Sequence, residues 1–313
     1  MRRVNPKIDL VFKKLFGSEE NKDILLSLIN AILPIQQQVA RITLKNPYNV
    51  SDYAEGKLSI LDIKAEGEDG RLFDIEMQIR GSKYYGKRAL FYWAKMFGSQ
   101  LDYALNEEEQ EDKISYIGYS DLKKCIVISL MDFNFFDDAT YHRCYTLKDS
   151  QTNEQHKDLD YLDLYFIELK KYKGKLQNLN TTLERWITFL NNAYKYDNQS
   201  LPKELAEIRE IRKASQKLDL MYLDEKERSY YDAQQKFWLD QNTFIKEALE
   251  KAKEEGIKKG IKEGIKEGIK EGELSSKMEV ARNAIKKGLD DVFIAAITGL
   301  SVEQIAALRK EKE

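Results

Sequence analysis

The chain is poor in the residues that staple or metallate small domains. Its 313 residues include two cysteines, Cys125 and Cys144, and two histidines, His142 and His156. No CxxC spacing occurs, which argues against a disulfide scaffold or a Cys/His zinc site. Such cysteine usage points to a reducing cytoplasmic compartment. His142 and Cys144 would share one side of an extended segment, but no acid stands by to orient them, so a structural pair is expected. No apolar run approaches the roughly 20 residues of a membrane helix. The basic start MRRVNPKIDLVFKKLFG lacks the apolar core and small-residue cleavage site of a secretory signal. Charge of one sign is also lacking: 51 Lys+Arg face 53 Asp+Glu, a net −2. That excludes a uniformly basic nucleic-acid coat and leaves room for a local basic patch.

What is present is ample core and surplus charge. Apolar residues make up 42% and charged residues 33%, the latter above the roughly 25% of ordinary domains. The surplus is uneven. Residues 246–273 hold eight Lys and eight Glu around the repeat EGIKKGIKEGIKEGIKEG, with Gly and Ile each every four residues. A period of four drifts by about 40° per tetrad on a helix, and each Gly costs roughly 1 kcal/mol against Ala. Ile257, Ile261, Ile265 and Ile269 therefore need another surface, which makes the segment a self-association arm of a homo-oligomer or else a solvated linker.

Hydropathy period divides the rest. Residues 5–33 read as two short helices separated at Gly17, with Leu10, Val11, Leu15 and Phe16 inside the first. Residues 57–80 alternate, as a β-hairpin does. A helix near 83–106 is expected to bury Leu90, Tyr92, Trp93, Phe97, Leu101 and Leu105. CIVISLMDF (125–133) suits a buried strand, 141–149 and 164–170 suit two more, and 181–255 is helical. Beyond the repeat, FIAAITGLSVEQIAAL (293–308) resembles the middle of a helix-turn-helix. The leading Val302, Glu303 and Gln304 of its second helix carry little positive charge, which favours a plain helical hairpin for packing. The expected organisation is a mixed α/β core over 1–180, a helical extension over 181–245, the repeat over 246–273 and a C-terminal hairpin over 274–313.

The hairpin KLSILDIKAEGEDGRLFDIEMQIR holds the chemistry. With Glu68-Asp69-Gly70 as its loop, Gly67 pairs with Arg71, Lys64 with Asp74 and Asp62 with Glu76. One face is apolar; the other carries Asp62, Lys64, Asp74, Glu76 and Gln78. Opposed carboxylates repel unless something offsets them. Mg²⁺ does so through one or two carboxylates while keeping waters for attack on a phosphodiester. A solvated face with pairs such as Lys64–Asp74 fits the same spacing.

The spacing Asp62-x13-Glu76-x-Gln78 resembles the PD-(D/E)XK nuclease signature with Gln in place of Lys. NPKIDLVFKKLFG, ILDIKAEGEDGRLFDIEMQ, YYGKRALFYWAKMFGSQL and IVISLMDFNFF together resemble the PD-(D/E)XK family transposases, also called recombination-promoting nucleases. The resemblance implies a restriction-endonuclease-like α/β core of αβββαβ type and Mg²⁺-dependent, or Mn²⁺-dependent, cleavage of DNA. Carried over by position, Asp62 and Glu76 ligate the metal, with the Met77 carbonyl a third ligand. Gln78 orients a water without the charge of Lys, and Lys64 on the same face is the candidate to restore it. Asp9 is the candidate further acid from the first helix; an N-terminal cap or a helix-dipole partner is its structural alternative. Arg80, Lys83, Lys87, Arg88 and Lys95, interleaved with Tyr84, Tyr85 and Tyr92, suit phosphate contacts, as they also suit an exposed cationic helix face. The missing Lys leaves a second reading open: a catalytically weak or inactive DNA-binding or oligomeric protein that keeps the fold.

Overall fold

A computed structural model describes residues 4–46, 63–106, 118–197 and 199–310. They divide into two compact units, residues 1–238 and 239–313.

The first unit is built on helices α1 (Asp9–Phe16) and α2 (Lys22–Ile32), then strands β1 (Ile42–Leu44), β2 (Ile63–Gly67) and β3 (Leu72–Gln78). Helix α3 (Tyr85–Asn106) follows, then β4 (Cys125–Met131), β5 (His142–Thr146) and β6 (Leu162–Glu168). Helices α4 (Thr182–Asn192), α5 (Lys203–Ala206) and α6 (Arg209–Leu220) complete it, joined by the start of α7 (Glu225–Lys286). The six strands are ordered β1-β2-β3-β4-β6-β5. Strands β3, β4 and β6 run parallel in the middle, and the pairs toward each edge are antiparallel. The αβββαβ order implied by the resemblance is present once β1 is counted; sequence periodicity does not reveal this three-residue strand.

Every residue of β4 and β6 is buried, as central parallel strands covered on both faces require. Alternation sends Ile126, Ile128 and Leu130 to one face, where they join Phe73 and Ile75 under α1, α2 and α4. Cys125, Val127 and Met131 go to the other, under Tyr85, Ala89 and Met96 of α3. Leu90, expected inside α3, is 48% exposed instead. Leu183, Trp186, Ile187, Leu205, Ile211 and Leu218 share the core of the first face. The helices expected as a separate extension from residue 181 therefore belong to the sheet's own unit. Both members of the expected His142–Cys144 structural pair meet Tyr165: His142 stacks on its ring with centroids 5.9 Å apart, and Cys144, its cross-strand partner, interacts with its side chain.

The hairpin folds on the predicted register. Lys64 pairs with Asp74 and Ile63 with Ile75, and Gly67 N–H donates to the Arg71 carbonyl at 2.9 Å. Gly70 has φ of 83°, a left-handed value that only Gly takes without strain. The predicted opposition of Asp62 and Glu76 lies outside the described residues.

In the second unit the repeat lies within α7, and Ile257, Ile261, Ile265 and Ile269 are 52–58% exposed. The end of α7 packs with α8 (Asp291–Thr298) and α9 (Val302–Lys310) around Ala281, Ile285, Ile294, Leu300, Ile305 and Leu308. Asp290 caps α8 by accepting from Phe293 N–H at 2.9 Å. Gly299, φ 70°, ends that helix. Ser301 and Gln304 then form a reciprocal cap on α9, at 2.9 and 3.2 Å. The chain turns by 115° between the two helices. Among the described residues no single helix is long and apolar enough to cross a membrane.

Candidate active site

Strand β3 places the central acid. Its LFDIEMQ pattern turns Phe73, Ile75 and Met77 into the first core and leaves Asp74 and Glu76 on the side that α3 covers. That side is no solvated face: Asp74 is 1% and Glu76 4% exposed. A carboxylate held there requires partners, and one oxygen of Glu76 gathers three. Gln78 Nε2 donates to Oε2 at 3.0 Å, and the Tyr85 hydroxyl donates to it at 3.3 Å. The Arg88 guanidinium stands 3.9 Å away. Burial, reinforced by the Glu76 charge, pushes the Tyr85 hydroxyl well above its ordinary pKa, so Tyr85 acts toward Glu76 as a donor.

Helix α1 brings the second acid. Asp9 is its first residue and follows the cap, Ile8, so it is not the N-cap; as an acid of the first turn it does suit the helix dipole. Asp9 lines the same cleft as Glu76, and its Oδ1 is buried with no hydrogen-bond partner. Burial raises its pKa to about 6; Arg80, Gln234 and Arg88 oppose the rise and the Glu76 charge adds to it. The approach of α1 is held by a buried ion pair. Lys7 Nζ lies 2.8 Å from Asp132 Oδ1, Trp238 Nε1 donates to Asp132 Oδ2 at 3.3 Å, and Asp132 N–H donates to the Gln78 carbonyl at 2.8 Å.

The cleft, about 260 Å³ in volume, is lined by Asp9, Glu76, Met77, Gln78, Ile79, Arg80 and Arg88, with Tyr92, Tyr230, Gln234 and Phe237 as further walls. Arg80 lies over the Phe237 ring, 3.5 Å from its centroid, and Arg88 lies over Tyr92 at 5.2 Å. The predicted set thus comes together in part. Asp9, Glu76, Met77, Gln78, Arg80 and Arg88 share the cleft. Lys64 does not line it; with Lys45 and Lys123 it lines another cavity, of about 470 Å³. Lys83, Tyr84 and Lys87 are exposed at the start of α3. Asp62 lies outside the described residues.

Tyr230, Gln234 and Phe237 were not foreseen. They stand four and then three residues apart in ERSYYDAQQKFW, a spacing that aligns side chains on one helix face. The start of α7 is fixed against α1: Lys14 Nζ is 2.8 Å from Glu227 Oε1, and Asn5 N–H donates to the Tyr231 hydroxyl at 3.0 Å.

Mg²⁺ binds through one or two carboxylates, and the residues present fit it. The cleft offers the bare Oδ1 of Asp9 and the buried Glu76, close enough for one charge to raise the pKa of the other. Among the described residues no group of three or more His, Cys, Asp or Glu forms a metal cluster; the third acid assigned from sequence is Asp62.

Residues 6–248 match the family described as PD-(D/E)XK nuclease family transposase. Residues 275–310 match the C-terminal HTH domain of the Rpn/YhgA-like nuclease family. No curated protein and no solved structure matches the chain. The second match corrects the expectation of a plain C-terminal hairpin. The weak charge of α9 misdirected that reading, whereas the left-handed Gly299, the Ser301 cap and the 115° turn are the geometry of a helix-turn-helix.

Proposed function

The chain belongs to the PD-(D/E)XK nuclease family transposases, and from that premise we propose that the Asp9–Glu76 cleft is the active site of a Mg²⁺-dependent DNA endonuclease. The observation that carries the reading is the bare, buried Oδ1 of Asp9 beside Glu76 in a cleft that also holds two arginines. Asp9 and Glu76, with Asp62 and the Met77 carbonyl from the sequence assignment, would hold the cation. When bound, the cation supplies Lewis-acid polarisation of the scissile phosphate and an acidified water.

The chain's own groups supply the rest. Tyr85 and Gln78 fix the Glu76 carboxylate by donating to one of its oxygens. Arg80 and Arg88 bring positive charge to a cleft whose acids would otherwise repel a phosphodiester. The ring of Phe237 holds the Arg80 guanidinium in place. The helix-turn-helix unit is proposed to hold DNA near the nuclease unit, a role consistent with the recombination or mobile elements that the family name suggests.

One observation favours the weaker-catalyst reading: the amide of Gln78, at the position of the family's Lys, already donates to Glu76. Supercoiled plasmid separates the two. With Mg²⁺ or Mn²⁺ the wild type should nick it, and EDTA or Glu76→Ala should abolish nicking. A wild type no better than Glu76→Ala with either metal removes the nuclease reading and leaves a DNA-binding protein of the same fold.

A further inference from the structure

Beside the cleft, α3 presents an exposed stripe of which the catalytic reading uses Arg88 alone. Tyr84 is 58% exposed and Phe91 64%, large apolar rings turned to solvent on a helix whose opposite side is core. Tyr84 caps the first turn, since Arg88 N–H donates to its carbonyl at 3.2 Å. Positions 84, 87, 88, 91 and 95 then follow one another at helical spacing along a single side, and all five are exposed. The two rings are seven residues apart, a rise of about 10 Å. Two cations lie over the first ring: Lys83 Nζ is 4.9 Å and Lys87 Nζ 5.8 Å from the Tyr84 centroid. Arg88 belongs both to this stripe and to the cleft, so the stripe runs directly into the site.

Aromatic rings between lysines are a poor match to duplex DNA. A duplex hides the faces of its bases in the stack and presents phosphates, sugars and base edges, none of which offers a face for a ring to stack on. An unstacked strand offers both a base face for each ring and phosphates for the flanking cations, and such stacking tolerates any base. We infer that the α3 stripe is a platform for single-stranded DNA, with bases stacked on Tyr84 and Phe91 and the backbone held by Lys83, Lys87 and Lys95 as it passes Arg88 into the cleft. This rests on the nuclease reading above and names its substrate class: single strands, or duplexes opened by fraying or branching.

The test measures binding apart from cleavage. Affinities of the full chain for a labelled oligothymidine and for a blunt duplex of equal length are determined in EDTA by fluorescence anisotropy. Each lost ring should raise the single-strand Kd roughly tenfold, so Tyr84→Leu/Phe91→Leu together give about a hundredfold. Tyr84→Phe/Phe91→Tyr, which keeps both π-faces, should retain wild-type affinity. Duplex affinity should change by no more than about threefold. Equal losses on both DNAs would make the stripe a general phosphate contact and overturn the inference. So would an unchanged single-strand Kd, including the case in which the Leu variant instead loses a dimer seen by sedimentation. Plasmid nicking by the wild type with Mg²⁺ is scored separately. No nicking with ring-dependent binding defeats the nuclease reading and keeps the platform; nicking without ring dependence does the reverse.

Discussion

Asp9→Asn should stabilise this protein and disable it together. Asp9 has its pKa raised from 3.8 to about 6, chiefly by burial. Because the folded value exceeds the unfolded one, the folded state holds an extra proton between those pH values. Stability therefore falls as pH rises through that window and stays lowered above it. A gap of about two units corresponds to about 3 kcal/mol at 1.36 kcal/mol per unit. Contact of the side chain with the open cleft relieves part of this, so about 2 kcal/mol is expected. Asn keeps the shape and cannot ionise. In urea melts with EDTA, its advantage over wild type should be small at pH 4 and reach about 2 kcal/mol by pH 7. Mg²⁺ should then raise the wild-type midpoint and leave that of the variant unchanged. Equal midpoints at pH 4 and pH 7 for the two proteins would refute a buried, ionised Asp9, and with it the argument that a cation is needed there.

Other perturbations follow from the same contacts. Glu76→Gln should abolish plasmid nicking, and Mg²⁺ should no longer raise its thermal midpoint, as read by calorimetry. Arg88→Ala should cut nicking by more than tenfold, whereas Lys64→Ala, which alters a separate cavity, should stay within about twofold of wild type; the reverse order would return the missing cation to the hairpin. Gly299→Ala forces a side chain into a left-handed turn and should cost the C-terminal unit about 1 kcal/mol, seen as a lower melting temperature. Replacing Ile257, Ile261, Ile265 and Ile269 by Lys removes the exposed apolar stripe of the repeat; if the repeat is a self-association arm, sedimentation should show a shift to a smaller species.

Local pattern announced local structure. The hairpin register followed from one loop glycine and an alternating run, because a slip of one residue would have put Asp74 and Glu76 into the apolar core with Phe73 and Ile75 outside. Asp9 was legible as a lone acid in an apolar helix. The pattern did not reveal which polar face is covered. The strand face of Asp74 and Glu76 suited a solvated face with pairs such as Lys64–Asp74, and only α3 crossing above it makes Glu76 a buried acid that needs partners. Nor did it separate Lys64 from the site, since side chains on one strand face can line different cavities once a helix divides them. Tyr230, Gln234 and Phe237 lie more than 220 residues from Asp9 in sequence; their place in the cleft depends on Glu227 meeting Lys14 and Tyr231 meeting Asn5, contacts between distant segments that no local period encodes.

The exchange of Lys for Gln at position 78 then has a structural reading. A lysine there would bring a charge to the attacking water and would also pair with Glu76, competing with the metal for that carboxylate. Gln78 donates to Glu76 as a neutral group, and Arg88, 3.9 Å away, is a cationic partner of that acid. The positive charge that the phosphate still requires comes from side chains anchored on aromatic rings, Arg80 on Phe237 and Arg88 on Tyr92. Both guanidiniums reach the cleft from outside β3. On the proposed nuclease reading, β3 would hold the cation and the strand's exit and α3 would supply charge compensation, so removing one arginine should weaken the reaction while removing Glu76 should end it.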